Sequence, residues 1–356
     1  MHRFPLALLA FLALLTLALA PRPASAQTLA QSLQSDFDAG ALPGLHGVLV
    51  LYRGKKLVEI YFDGQDQRWG VPLGNRRHGP NTLHDMRSVT KSVVGLLYGI
   101  ALDRGLVPPP DAALYAQFPE YADLARDPKR ARITIADALT MRMGTAWDET
   151  TPYSNPRNSE IAMERAPDRY RFVLEQKILT RPGGRWTYSG GATALVARII
   201  EKGTGKPIDA FAREALFAPL GITRFDWVKG GDGVPSAASG LRLTLPALAR
   251  IGTLVAGHGR YNGKQIVSAR WMKAATSPLA RTSFGLQYGY FWWHSPAKSP
   301  AKWTAAMGNG GQRLTVQPHV DLVIAIIAGN YNHPKDWKTP VAVIEKHVVP
   351  AILNSQ

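Results

Sequence analysis

The chain of 356 residues contains no cysteine. Disulfides, thiolate metal sites and a cysteine nucleophile are therefore excluded. No G-x-S-x-G turn is present, which removes the α/β-hydrolase form of a Ser-His-Asp enzyme. There is no H-E-x-x-H, no phosphate loop and no dinucleotide fingerprint. The nine histidines are scattered without ligand spacing, so neither a metal site nor a cofactor is expected. Beyond the N-terminus no apolar run is long enough to cross a bilayer. Acids are fewer than bases, 26 against 42, for a net charge of +16. The cations form no run of five or more, so they read as a basic solvated surface and not as a nucleic-acid site.

What is present is the composition of a globular protein, 46% hydrophobic and 19% charged. The N-terminus has the pattern of an export signal: His2 and Arg3, an apolar stretch from Phe4 to Ala20, and Ala24-Ser25-Ala26. Cleavage there makes Gln27 the first mature residue, and the mature chain is expected to be periplasmic or secreted, without stable membrane insertion.

Helical spacing covers Thr28 to Ala39, and a hairpin is expected from His46 to Phe62 around Gly54. Asp63 to Asn81 reads as loop. Residues 134–137 carry a capping-box signature, and further helices are expected at 168–177, 191–202, 207–216 and 246–256. Trp147-Asp148-Glu149 and residues 150–160 read as a long polar loop. Strands are expected at 288–293, 312–316 and 322–327, and a terminal amphipathic helix within 338–353. Strands at both ends flanking a helical middle indicate one α/β domain with an inserted helical region. The division expected is 27–107 and 225–356 for the α/β part, and 108–224 for the helical part.

One stretch stands out, Met86 to Arg104. Ser88 and Lys91 are three apart, and the residues that follow are apolar on nearly every side, as in a buried helix. Positions i and i+3 share a helix face, so the Ser88 hydroxyl and the Lys91 amine can meet. Desolvation lowers a lysine pKa, and a neutral amine beside a hydroxyl is a base that can activate a nucleophile. Amides at the helix start would face an oxyanion formed there. The plainer reading is that Ser88 is an N-cap. S-x-x-K also occurs at Ser295/Lys298 and Ser299/Lys302, but in a Pro-rich repeat that reads as a solvated loop.

Two further segments carry candidate chemistry. Tyr188-Ser189-Gly190-Gly191 follows a Pro-Gly-Gly turn and precedes a helix. Near a cationic lysine a phenol ionises more easily and could carry the serine proton, although a packing tyrosine is the commoner case. Gly308-Asn309-Gly310-Gly311-Gln312 enters a strand, where glycines permit close approach of backbone to a ligand.

Taken in this order, R-S-V-T-K-S, P-G-G-R-W-T-Y-S-G-G, S-G-L-R-L-T and the run from Tyr288 to Ile327 resemble the serine hydrolases of the β-lactamase-related superfamily. That group includes class C β-lactamases, D-alanyl-D-alanine carboxypeptidases, esterases and 6-aminohexanoate-dimer hydrolases. The resemblance implies a β-lactamase/transpeptidase-like fold, with an antiparallel sheet flanked by helices plus a helical subdomain. It implies Ser88 as the acylated nucleophile, Lys91 as its partner and Tyr188 as the base. The amides of Ser88 and Gly311 would form the oxyanion hole, with Asn309 and Gln312 in contact with substrate. Two departures bear on the substrate. The usual Tyr-x-Asn has Gly190 in place of Asn, and the usual Lys-Thr-Gly or His-Thr-Gly reads Gly308-Asn309-Gly310. The missing cation argues against β-lactams and D-Ala-D-Ala unless Arg313 replaces it. The pattern looks most like 6-aminohexanoate-dimer hydrolases and their esterase relatives, and a small ester or linear amide is the expected partner.

Overall fold

A computed structural model describes residues 24–354, with side chains from Thr28 onward. Of the expected export signal, residues 1–23 lie outside the described residues. Helix α1 (Ala24–Asp38) leads into β1 (Leu45–Tyr52) and β2 (Lys55–Tyr61), the hairpin read from the sequence, turning at Arg53 and Gly54. Both turn residues have positive φ, which suits a two-residue hairpin loop.

The segment after β2 departs from expectation. It forms a second hairpin, β3 (Gly64–Arg68) and β4 (Val71–Arg76), around Trp69-Gly70. The hairpin has little apolar alternation because only Asp66 among its strand residues is buried, so hydrophobic period could not reveal it. Strand β5 (His84–Asp85) then feeds helix α2 (Val89–Asp103).

The middle of the chain is helical: α3 (Ile135–Leu139), α4 (Ser159–Arg165), α5 (Arg169–Leu174) and α6 (Gly190–Thr204). Thr134 and Asp137 form the expected reciprocal cap of α3. Strands β6 (Phe225–Trp227) and β7 (Leu241–Leu243) pair beside β5 in the order β5-β7-β6. Helix α7 (Leu245–Ala256) follows, then the short hairpin of β8 (Arg260–Tyr261) and β9 (Lys264–Gln265).

The last strands are β10 (Ala280–Arg281), β11 (Gln287–Tyr288), β12 (Trp293–His294), β13 (Thr304–Gly308), β14 (Gln312–Gln317) and β15 (Leu322–Ala328). The run 288–293, expected as one strand, is two short strands reversing at residues 289–292, with Phe291 at φ 62°. Ser92 of α2 donates to the Phe291 carbonyl and holds that reversal. A helical run from Lys338 to Leu353, with a wider π turn in its middle, closes the described chain.

The main sheet is antiparallel, ordered β10-β11-β12-β13-β14-β15-β1-β2, so the two ends of the chain meet at β1 and β15. Strand alternation gives its two sides different partners. Val48, Val50, Ile324 and Ile326 pack with Leu29, Leu33 and Val343 of the terminal helices. Leu49, Val323, Ala325 and Ile327 belong to the larger core with α2 and α7. A Cβ at Gly252 would stand 2.4 Å from Val323, so this glycine lets α7 lie close on the sheet. Every residue of α2 from Val89 to Ala101 is buried. At about 1.5–3 kcal/mol per large apolar side chain, this helix is fixed firmly enough to position what stands at its start. No helix among the described residues is long and apolar enough to cross a membrane.

Candidate active site

Helix α2 begins where two elements converge. Arg87 has φ 50°, a left-handed conformation that is costly for a non-glycine residue. It turns the chain from β5 into the helix and leaves Ser88 at the wall of a pocket of ≈ 850 Å³. The Ser88 side chain makes no capping hydrogen bond. Its Oγ instead accepts from Lys91 Nζ at 3.1 Å, and the Tyr188 ring lies against the same ammonium. The plain N-cap reading of Ser88 therefore does not describe its geometry. Ser295 and Ser299, the other two S-x-x-K serines, lie in the loop between β12 and β13, away from the pocket lining.

Lys91 is 1% exposed and spends its three N–H donors on Ser88 Oγ, Ala238 O at 2.9 Å and Glu160 Oε2 at 3.4 Å. Burial alone would push its pKa down, as expected from the sequence. The carboxylates of Glu160 and Glu149 and the Tyr188 hydroxyl outweigh burial and hold the ammonium above its ordinary value. Lys91 is thus a fixed cation, and the expectation of a neutral amine base is corrected. Its Nζ sits 4.9 Å from the Tyr188 ring centroid. Burial, helped by Glu149 and Glu160, holds the Tyr188 phenol above its ordinary value, and Lys91 is the main influence in the opposite direction. Lys91 is thus the charge in this cluster that favours the ionised form of Tyr188.

Two carboxylates that the sequence placed in a solvated loop belong to this cluster. Glu160, in the first turn of α4, is 2% exposed and also accepts from Ser239 Oγ at 2.6 Å. Glu149 keeps a little surface, but its carboxylate is enclosed by Trp147 Nε1 at 2.6 Å, Tyr153 OH at 2.9 Å and the Gly190 amide. Burial, then repulsion from Glu160, pushes Glu149 up to about 7. One ammonium faces two acids, and the second acid titrates near neutrality. Nothing in the local spacing of these residues distinguishes them from solvated acids; the aromatic neighbours Trp147 and Tyr153 are the only signal in the sequence.

The glycine-rich segment forms the turn between β13 and β14, and the three residues expected to act there behave differently. Gly310 and Gly311 have φ 95° and 94°, which explains the glycines. The Gly311 amide donates to Gly308 O at 3.3 Å, and a Cβ there would meet Ala328, Asp336 and Pro340. The expected oxyanion-hole amide of Gly311 is therefore engaged within its own turn. Gly308 is the residue against the helix start, its Cβ position 2.3 Å from Met86 O. Any side chain at 308, including the lysine absent from this sequence, would strike that carbonyl. Asn309 does line the pocket, with Asn332 bonded to both ends of its amide. Gln312 is 1% exposed and clamps β14 to β15 through both Ala328 backbone groups, so its expected contact with substrate is not available.

Arg313, named above as a replacement cation, is also turned away. It is buried, bonded to Thr315 at 3.0 Å and set over the Trp303 ring. The cations on the pocket wall are Arg87, Arg165 and Lys229. Arg87 has its Nε buried without a partner and its guanidinium 5.5 Å from the Tyr331 ring centroid.

Comparisons with known proteins bear on the family and the fold. The family model described as Beta-lactamase matches residues 27–344. The 6-aminohexanoate-dimer hydrolase of Paenarthrobacter ureafaciens is 25% identical over 269 residues, which cover 69% of this chain and 66% of that protein, slightly under two thirds of its length. Among solved structures, EstCE1, a hydrolase with promiscuous acyltransferase activity, superposes with a TM-score of 0.71 at 14% identity, covering 90% of this chain and 98% of that one. The Beta-Lactamase/D-Alanine Carboxypeptidase from Pseudomonas syringae gives 0.67 at 16% identity, covering 91% and 99%. At these identities the structures share the fold. With the family model spanning nearly the whole described chain, and Ser88, Lys91 and Tyr188 in one cluster, this protein belongs to the beta-lactamase family of serine hydrolases.

Proposed function

We propose that this hydrolase cleaves esters or linear amides through an acyl-enzyme on Ser88. The observation that carries the reading is the Ser88 hydroxyl at the pocket wall, bonded to the buried Lys91 amine that also lies against the Tyr188 ring. Lys91 occupies one lone pair of Ser88 Oγ and leaves its proton directed to Tyr188. Tyr188, acting as a phenolate charge-paired with the Lys91 ammonium, takes that proton as Oγ attacks the carbonyl carbon, and the resulting phenol returns it to the leaving group as the C–O or C–N bond breaks. Amides at the start of α2 stabilise the tetrahedral oxyanion. Water then attacks the acyl-enzyme, with Tyr188 again as base.

The substrate class follows from what position 308 lacks. No cation can extend from Gly308, so a carboxylate directly beside the scissile bond has no partner there. Arg87, Arg165 and Lys229 supply positive charge elsewhere on the wall, beside Glu160, Glu164 and Asp232. Such a wall suits a linear substrate with charge some distance from the bond cut, and the named activity of the Paenarthrobacter relative is of that kind. A panel of p-nitrophenyl esters, linear amides, nitrocefin and D-Ala-D-Ala peptides tests this. Esters or linear amides are expected to be cleaved far faster than the last two. A kcat/KM for nitrocefin equal to that of the best ester contradicts the reading.

We further propose that the protein is exported. The N-terminal pattern supports this, and the family match begins at Gln27, the expected mature start. Intact mass from the native host should show a chain beginning at Gln27; a full-length membrane-bound chain refutes it.

A further inference from the structure

Three histidines with no ligand spacing in the sequence converge behind the active site. His46 lies on β1, His78 in the loop after β4 and His84 on β5. One ring nitrogen from each lies within 4.8 Å of the other two. All three side chains are more than nine-tenths buried. His46 Nδ1 is 2.9 Å from His84 Nε2, and the His46 and His78 rings stack at 4.1 Å. His46 Nε2 and both nitrogens of His78 are buried without a hydrogen-bond partner. A buried ring with neither nitrogen paired is rare and costly, so His78 beside two further imidazoles calls for an occupant.

The surroundings are those of a ligand set. His84 Nδ1 lies 3.2 Å from the Asp85 carbonyl; donating to it leaves the Nε2 lone pair facing the cluster. The buried Asp66 carboxylate stands 3.6 Å from His84 Nε2 and accepts from Tyr331 OH at 3.1 Å. Zinc–nitrogen bonds of about 2.0–2.1 Å place neighbouring ligand atoms about 2.9–3.4 Å apart. The His46–His84 pair already meets that spacing, and the widest pair need close by no more than about 2 Å.

We propose that His46, His78 and His84, with Asp66 beside them, bind one divalent transition-metal ion of the zinc class. Imidazole favours such ions over calcium and magnesium, which take oxygen ligands, and Asp66 supplies negative charge. The ion's role is structural. It ties β1, the β3–β4 hairpin and β5 together, four residues before Ser88. Tyr331, bonded to Asp66, also supports the Arg87 guanidinium at the pocket wall. The site does not depend on the hydrolase reading, since no group of the Ser88 cluster belongs to it.

The test uses the full chain prepared without a histidine tag. Elemental analysis should find about one equivalent of zinc, and removing it with dipicolinate should lower Tm by about 5 °C or more, restored by Zn²⁺. His78→Gln should cut the bound zinc at least about tenfold while far-UV circular dichroism stays unchanged. X-ray absorption of the zinc-loaded wild type should show three imidazole ligands, which decides the matter if the variant does not fold. The proposal is overturned if the wild type neither holds nor takes up Zn²⁺ or Co²⁺. It is equally overturned if His78→Gln retains its zinc, or if the absorption spectrum lacks the imidazoles.

Discussion

Replacing Glu149 by glutamine should flatten the fall in stability between pH 5 and pH 8. Burial and the neighbouring Glu160 push the Glu149 carboxyl up to about 7, against 4.5 in an unfolded chain. The folded state therefore holds this proton more tightly than the unfolded state. The resulting stability is fully present below pH 4.5 and is lost as pH rises through about 7. At about 1.4 kcal/mol per unit, the loss is about 3 kcal/mol. Glu164, which burial also pushes to about 7 against the pull of Arg169, adds a fall of the same sign. Glutamine keeps an oxygen for Trp147 and Gly190 and offers its amide to the Tyr153 hydroxyl. It abolishes only the Glu149 share. Urea unfolding followed by tryptophan fluorescence at pH 5 and pH 8 gives the loss for each protein. The variant should lose about 2–3 kcal/mol less than wild type, and groups common to both cancel in the difference. Equal losses would refute the claim that two carboxylates compete for one ammonium.

Other substitutions separate chemistry from scaffold. Tyr188→Phe should lower kcat by about 10²–10⁴-fold with KM little changed, because it deletes only the proton carrier; steady-state kinetics on the best ester decides. Gln312→Leu should cost about 1–3 kcal/mol by leaving the Ala328 amide and carbonyl unpaired, yet spare kcat/KM per folded molecule. Gly308→Ala should lower both Tm and kcat, since its Cβ would press on Met86 O beside Ser88; a variant with wild-type values of both would show that this contact yields freely.

The Ser88–Lys91 contact was legible because its geometry is local. Ser88 and Lys91 are one helical turn apart, and the unbroken apolarity of α2 states its burial in the sequence itself. The hairpin around Gly54 and the cap at Thr134 were legible for the same reason. The ionisation of Lys91 was not. It depends on Glu149 and Glu160, which reach it from 58 and 69 residues away and resemble any solvated acid in a polar loop. The β3–β4 hairpin escaped notice because its strands bury almost nothing. The histidine cluster was hidden by topology: β1 and β5 are far apart in sequence, and only the packing of the hairpin between them brings His46 and His84 into contact. Gly311 and Gln312 mark the limit of motif reading, because a tight turn sends alternate residues to opposite sides of a strand.

The acyl-enzyme is the step on which the functional account stands. Incubating the mature chain with a fluorophosphonate probe, digesting it and mapping the adduct by mass spectrometry tests it directly. The account predicts one adduct, on Ser88, with Ser88→Ala both unlabelled and at least about 10⁴-fold less active while still folded. A label on another residue, or more than a tenth of wild-type activity in Ser88→Ala, would contradict it.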